Sequence, residues 1–245
     1  MAELIPILFR SLKDILMPKI LRLLILPFVG SFMLWTLITW MIWDWIIRLG
    51  FQLYNFDPMQ RLVEILSPYF VLSSDPIVAV TAGVFILVII VPAAIITAML
   101  IASSLIVPAL VSELRKIEFT QINGKPNTLI YGLYISIIYS AEYILMWIGL
   151  VPFWIALPLG TIIIPYVLLS WFNSRLFAWE VMLEIATPEV SEKFIKQNSK
   201  NLFLLGLLTS IFYYIPFVNL FAPVISSAGF ARYCLTRYVR SVSSL

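Results

Sequence analysis

The sequence predicts an all-α integral membrane protein, a single membrane domain over 1–245. It has two long transmembrane helices plus two re-entrant helical hairpins, with interfacial helices. Three observations carry this. Hydrophobic residues make up 62% of the 245 and charged residues 12%, about half the charged share of a soluble domain. A soluble fold could not hide that much apolar surface, so lipid is the solvent for much of it. Four long stretches are nearly free of charge: 23–43, 76–112, 126–174 (interrupted only by Glu142) and 201–231. Finally, the basic residues between those stretches are unevenly placed.

That placement sets the topology. Fourteen of the sixteen Lys and Arg lie in 1–22, 113–125, 175–200 or 232–240, and only Arg48 and Arg61 lie in 44–75. Under the positive-inside rule every charged segment except 44–75 is cytoplasmic, both termini included. The reading is a multi-pass protein of the cell (inner or plasma) membrane. A first helix, 21–47, crosses outward and a second, 76–112, returns. The stretches 126–174 and 201–231 each begin and end in the cytoplasm. Two full crossings need about 40 residues, more than 201–231 supplies, so that stretch goes part-way in and turns back.

Its tip is the uncharged run "YYIPFVNLFAPVISSAG", 213–229. Pro216 and Pro223 are expected to stop the two half-helices, with Asn219 and the serines satisfying freed backbone groups. "GLVPFWIALPLG", with Pro152 and Pro158, gives 126–174 a similar tip, and the two tips suggest a parallel internal repeat. Apolar residues at helical spacing make 1–20 and 52–72 interfacial helices. Pro92 and Pro108 are expected to bend 76–112, with a new helix starting at Pro108. Thr187-Pro188-Glu189 opens a short cytoplasmic helix within 178–200, Thr as N-cap and Pro in the first turn. Trp35, Trp40, Trp43 and Trp45 read as an aromatic belt at the outer interface. No cleavable signal peptide is expected.

The chain has no histidine and one cysteine, Cys234. That removes an internal disulfide, the Ser-His triad and the usual metal ligand, so no enzyme activity, metal site or cofactor is expected. The net charge of +3 belongs to the cytoplasmic faces rather than to nucleic-acid binding. Three groups could carry chemistry. Lys19, Arg22 and the turn "VPALVSELRK", 107–116, form the first. With Pro108 in a first helical turn, the amides of Ala109, Leu110, Val111 and Ser112 would be unpaired and electropositive, a seat for an oxyanion, and Arg22 would add a bidentate contact. The plainer alternative makes Lys19 and Arg22 interface anchors and pairs Glu113 with Lys116 one turn on. Glu142 is the second, a carboxylate inside an apolar stretch and so a candidate proton relay; protonation or a bond to a neighbouring helix would serve as well. The third, Arg175, Glu180 and Glu184, reads as a solvated cytoplasmic face.

Three segments resemble the CysZ sulfate permeases, whose wider family includes the eukaryotic etoposide-induced transmembrane proteins. They are "RLLILPFVGSFML", 22–34, "PALVSELRK", 108–116, and "GLLTSIFYYIPFVNLFAPVISSAGF", 206–230. The resemblance implies two long membrane helices with two hairpins entering the bilayer part-way. It also implies a homo-oligomer, hexameric in the family, and sulfate uptake feeding cysteine synthesis. Sulfate would sit at the Gly-Leu-x-x-Glu turn and at arginines below the first membrane helix, here Ala109, Leu110 and Glu113 with Arg22. Ala109 stands where the motif has glycine, and Leu21-Arg22 where two arginines are common. A second reading keeps the fold but not transport: a membrane scaffold or membrane-biogenesis protein. The topology is checked with accessibility tags. A tag at residue 60 is expected outside and one at residue 125 inside; two tags in one compartment would defeat the two-crossing scheme.

Overall fold

In a computed structural model of the protein, residues 4–23, 26–56, 60–61, 82–122, 129–157 and 159–242 are described, and all regular structure among them is helical. The helices are α1 (Leu4–Ile15), α2 (Pro18–Leu23), α3 (Leu26–Tyr54), α4 (Val91–Ile117), α5 (Leu129–Ala156), α6 (Gly160–Leu183), α7 (Pro188–Ser210) and α8 (Ala222–Val242). Most of 52–72, and Pro158, lie outside the described residues. Among the described residues, four helices are long and apolar enough to cross a membrane: α3 over Val29–Gln52, α4, α5 over Tyr131–Phe153, and α6. The chain divides into two units, 29–97 and the remainder.

Within 29–97, α3 is tied to the start of α4. Ser31 Oγ donates to the Ala94 carbonyl at 2.6 Å, and Trp35 Nε1 donates to Thr97 Oγ1 at 2.9 Å. Trp45 meets Phe85 edge-on at 5.7 Å. Trp35 therefore ties the two helices, whereas Trp40 is 76% exposed. Phe32, Met33, Leu37 and Met41 are exposed on the same helix, as expected for side chains that face lipid. Pro92 has no N–H to give the carbonyl four residues back. The chain meets this with a π-helical turn, Ile86–Ile90, immediately before α4. A wider turn is one way a helix absorbs such a lost bond.

The larger unit is built around α6, α7 and α8, with α5 against α6 and α1 against α8. The α5–α6 hairpin is zipped by aromatic pairs: Tyr131 with Trp179, Tyr139 with Trp171, and Tyr143 with Phe172 at 4.8 Å. Trp179 Nε1 also donates to the Tyr139 hydroxyl at 3.2 Å, so the indole's polar end is served. Pro152 lies inside α5 and does not stop it. The helix ends instead at Ala156, and Gly160 N bonds the Leu157 carbonyl at 3.0 Å.

The second hairpin pairs α7 with α8. Thr187 has extended backbone before Pro188, Glu189 sits in the first turn, and Ser191 N bonds the Thr187 carbonyl at 2.9 Å. The helix start is where the sequence put it. The helix does not end near 200, however. The polar segment and the hairpin's first arm are one continuous helix, because nothing between Ser199 and Leu202 breaks it: no Gly, no Pro, only a change from polar to apolar residues. Likewise the segment read as one interfacial helix over 1–20 holds two helices from Leu4 on, since Pro18 starts α2 after a turn at Leu16–Met17.

The tip, 211–221, is two 3₁₀ turns, Ile211–Tyr214 and Val218–Leu220. Pro216 lies between them and Pro223 in the first turn of α8. Backbone groups satisfy one another there: Asn219 N reaches the Ile215 carbonyl, Phe221 N the Val218 carbonyl and Ile225 N the Phe221 carbonyl, each at 2.9 Å. The side chains of Asn219 and the serines are not needed for it; Ser227 Oγ bonds the Val224 carbonyl of its own helix. Phe217 turns the corner with φ 65° and is 84% exposed, a conformation that costs a non-glycine residue about 1–3 kcal/mol.

Close packing sets the distance between α6 and α7. A Cβ added at Gly206 would collide with the Ser170 carbonyl oxygen. Around it, Tyr166 OH donates to the Leu207 carbonyl at 2.6 Å and Asn173 Nδ2 to Ser210 Oγ at 2.9 Å. Small residues let helix backbones approach in this way where lipid leaves no hydrophobic drive. Gly206→Ala is expected to cost about 1–3 kcal/mol through overpacking, read as a lower melting temperature in detergent. Gly149→Ala, where an added Cβ meets nothing, should cost nothing by the same measure.

Candidate functional site

The sequence-predicted anion site comes together in part. Lys19, in α2, and Lys116, in the last turn of α4, both reach Glu113 Oε1 at 3.1 Å. Lys19 and Lys116 are exposed, while the Glu113 side chain is 23% exposed. Arg22 lies one turn beyond Lys19, exposed, with no ion-pair partner among the described residues. The result is a basic patch in which one carboxylate bridges two lysines and one guanidinium is left over.

The backbone half of that site is not there. Pro108 lies inside α4, which continues from Val91 to Ile117. The amides of 109–112 therefore belong to a helix interior, where N–H groups face carbonyls four residues back. Leu110 and Val111 are buried. Pro108 costs the helix one bond, to the Ser104 carbonyl, and the flanking turns hold across it. An oxyanion here would be held by side chains, not by a helix N-terminus.

Glu142 is exposed on α5, in the company of exposed Leu145 and Ile148. Glu180 and Glu184 do not form a solvated face. Ser136 Oγ of α5 donates to Glu180 Oε1 at 2.6 Å, so this carboxylate clasps the hairpin from within. Among the hairpin-tip residues, Pro216 and Asn219 are exposed and Pro223 is buried. Behind the tip lies a polar group that sequence reasoning missed: Asn173, Ser210 and Ser226, all fully buried, with the buried Tyr213 hydroxyl. No metal-holding cluster occurs among the described residues.

The strongest electrostatic feature was also missed. Arg232 of α8 is 5% exposed and Asp14 of α1 is 3% exposed. Arg232 donates through Nε and Nη2 to Asp14, with 2.8 Å for Nη2, and through Nη1 and Nη2 to Glu118 at 2.9 and 3.0 Å. One guanidinium is thus forked on two sides by two carboxylates, geometry that a lysine could not supply. Glu118 follows α4 directly, and the loop there is closed by Arg115 Nε on the Ile122 carbonyl at 3.0 Å. Hydrogen bonds from Arg232 hold the Glu118 carboxyl below its usual range, with Arg232 and Arg10 adding charge attraction. No single-residue motif marks such a triad; only the pairing of distant segments does.

Because the folded pKa of Glu118 is depressed, its contribution is present above the ordinary carboxylate value of 4.5 and is lost as pH falls through the lower folded value. Thermal unfolding followed from neutral to acid pH should show that loss in the wild type and less of it in Glu118→Gln. Arg232→Met, which strands Asp14 in the interior, should cost about 3–5 kcal/mol, and Asp14→Leu/Arg232→Met should recover much of it.

Residues 7–223 match the family model described as Sulfate transporter CysZ/Etoposide-induced protein 2.4. The match spans most of the chain, and the protein belongs to that family. It is a transporter-type family, and with the four apolar helices it makes this a multi-pass membrane protein. No curated protein and no solved structure gives a significant match.

Proposed function

We propose that this member of the family is a membrane permease or channel for sulfate or a related oxyanion, supplying sulfur for cysteine synthesis. The observation that carries the reading is the family match over 7–223, on a chain with four helices able to cross a membrane. The anion enters at Arg22 and Lys19, beside the Glu113 end of α4. Glu113 occupies both lysines in the resting site, so an incoming oxyanion competes with this carboxylate for them while Arg22 supplies the bidentate contact. Onward passage runs between the hairpins of neighbouring subunits in a homo-oligomer, a hexamer by family resemblance.

The hairpins differ in reach. At about 1.5 Å per residue α5 and α6 are roughly 42 and 36 Å long, enough to cross a hydrocarbon core of about 30 Å. The apolar part of α7 begins only at Leu202, so the 201–231 hairpin is re-entrant, with its tip at membrane depth. Glu142 is the candidate for a proton relay, since an exposed carboxylate on an apolar span needs a reason to be there.

The side-chain-only anion site keeps a second reading open: a membrane scaffold or membrane-biogenesis protein on the same fold. Labelled-sulfate uptake into proteoliposomes separates the two. Arg22→Ala is expected to lower uptake about tenfold or more, the scale of a lost charge-assisted contact, and Lys13→Ala much less. Equal effects would remove the Arg22 site. Glu142→Gln should flatten the pH dependence of uptake if the relay exists. Well-folded wild type that takes up nothing and shows no anion-dependent thermal shift would favour the scaffold.

A further inference from the structure

A cleft of about 270 Å³ opens between α6 and α7, and Lys19, Arg22, Glu113 and Lys116 are not among the residues that line it. Its polar lining is Arg175 and Ser174 from α6, and Ser199 and Lys200 from α7; Trp171 and Phe203 contribute apolar walls. Among the described residues, no carboxylate lines it. Neither Arg175 nor Lys200 is hydrogen-bonded or ion-paired among the described residues. Trp171 is fixed by an edge-on contact with Tyr139 at 6.0 Å, and the Ser174 hydroxyl is already spent on the Trp171 carbonyl at 2.7 Å. The available donors are a guanidinium, an ammonium and the Ser199 hydroxyl.

Two cations sharing a cleft without an acid repel each other. Arg175 also lies within the span of α6 that is apolar enough to cross a membrane, where an uncompensated charge is costly. The cleft sits where α7 changes from polar to apolar residues, between Ser199 and Leu202. Trp, Arg and Lys at such a level are the residues that meet the headgroup region of a bilayer.

We infer that this cleft is a second anion site, which takes a tetrahedral oxyanion between Arg175 and Lys200. The shared chemistry is that of a lipid phosphate and of free sulfate or phosphate. The inference does not depend on transport: a protein that moved no sulfate would still hold an anion here.

The test uses the full chain in neutral detergent, with two probes. One is phosphatidylglycerol, followed as lipid retained in native mass spectrometry, with phosphatidylcholine as reference. The other is inorganic sulfate and phosphate, followed by calorimetry. Lys200→Gln changes an exposed side chain and leaves the packing alone; Arg175→Gln/Lys200→Gln removes both cations; Lys193→Gln, an exposed lysine of the same helix, is the charge-matched control. Binding of one probe is expected to fall about tenfold in the double variant and severalfold in Lys200→Gln, and to be unchanged in Lys193→Gln. A fall confined to phosphatidylglycerol identifies a headgroup site, and a fall in sulfate or phosphate binding identifies a free-ion site. Wild type that binds neither probe, or an equal loss in Lys193→Gln, would overturn the inference.

Discussion

Arg232 joins three pieces of chain that the sequence keeps far apart: Asp14 near one end, Glu118 just past α4, and α8 near the other end. The pairing decides how α1 is used. Its apolar residues Ile5 and Phe9 are exposed, while Ser11 and Asp14 are buried. An amphipathic helix that buries a carboxylate and shows phenylalanine outward makes sense only if the inside offers a counter-charge and the outside is lipid. With α1 held to α8, α2 follows after a two-residue turn, and Lys19 is placed against Glu113. The candidate anion site is therefore positioned by a triad that takes no part in binding.

The same logic separates the two kinds of polar group inside this protein. Arg232 is matched on both forks, and Glu180 has its serine. These are structural: their partners are fixed and near. Among the described residues, Arg175, Lys200 and Arg22 are cations without fixed partners. In a chain with so few charges, unpaired cations of that kind are where a mobile anion would find a place. The contrast between satisfied and unsatisfied charge says more about function than the count of charges does.

Much of the fold was legible in the sequence because lipid imposes simple rules. Uncharged length located helices apolar and long enough to cross a membrane, and Thr187-Pro188 marked the start of α7 to the residue. The prolines were less informative than they look. Pro108 and Pro152 lie inside helices, and Pro92 is absorbed by a π-helical turn. Proline disfavours helix but does not forbid it when packing on either side holds the turns in place. The expected amide seat at 109–112 failed for that reason. The Arg232 triad and the Gly206 contact were beyond reach because both depend on which distant segments meet. Glycine at 206 reads in isolation as a weak spot in a helix; only the Ser170 carbonyl opposite it explains the choice.

The uninterrupted course of α7 has a mechanical meaning. At Gly206 the helix packs directly against the Ser170 carbonyl of α6, with about 27 Å of helix on the Pro188 side and about 6 Å on the tip side at 1.5 Å per residue. A rod pressed against a neighbour near one end works as a reduction lever. Tilting the long polar arm by several ångströms moves the tip by roughly a quarter as much, in the opposite direction. About that contact, a tilt of the polar end would reach the turn at Phe217 reduced and reversed.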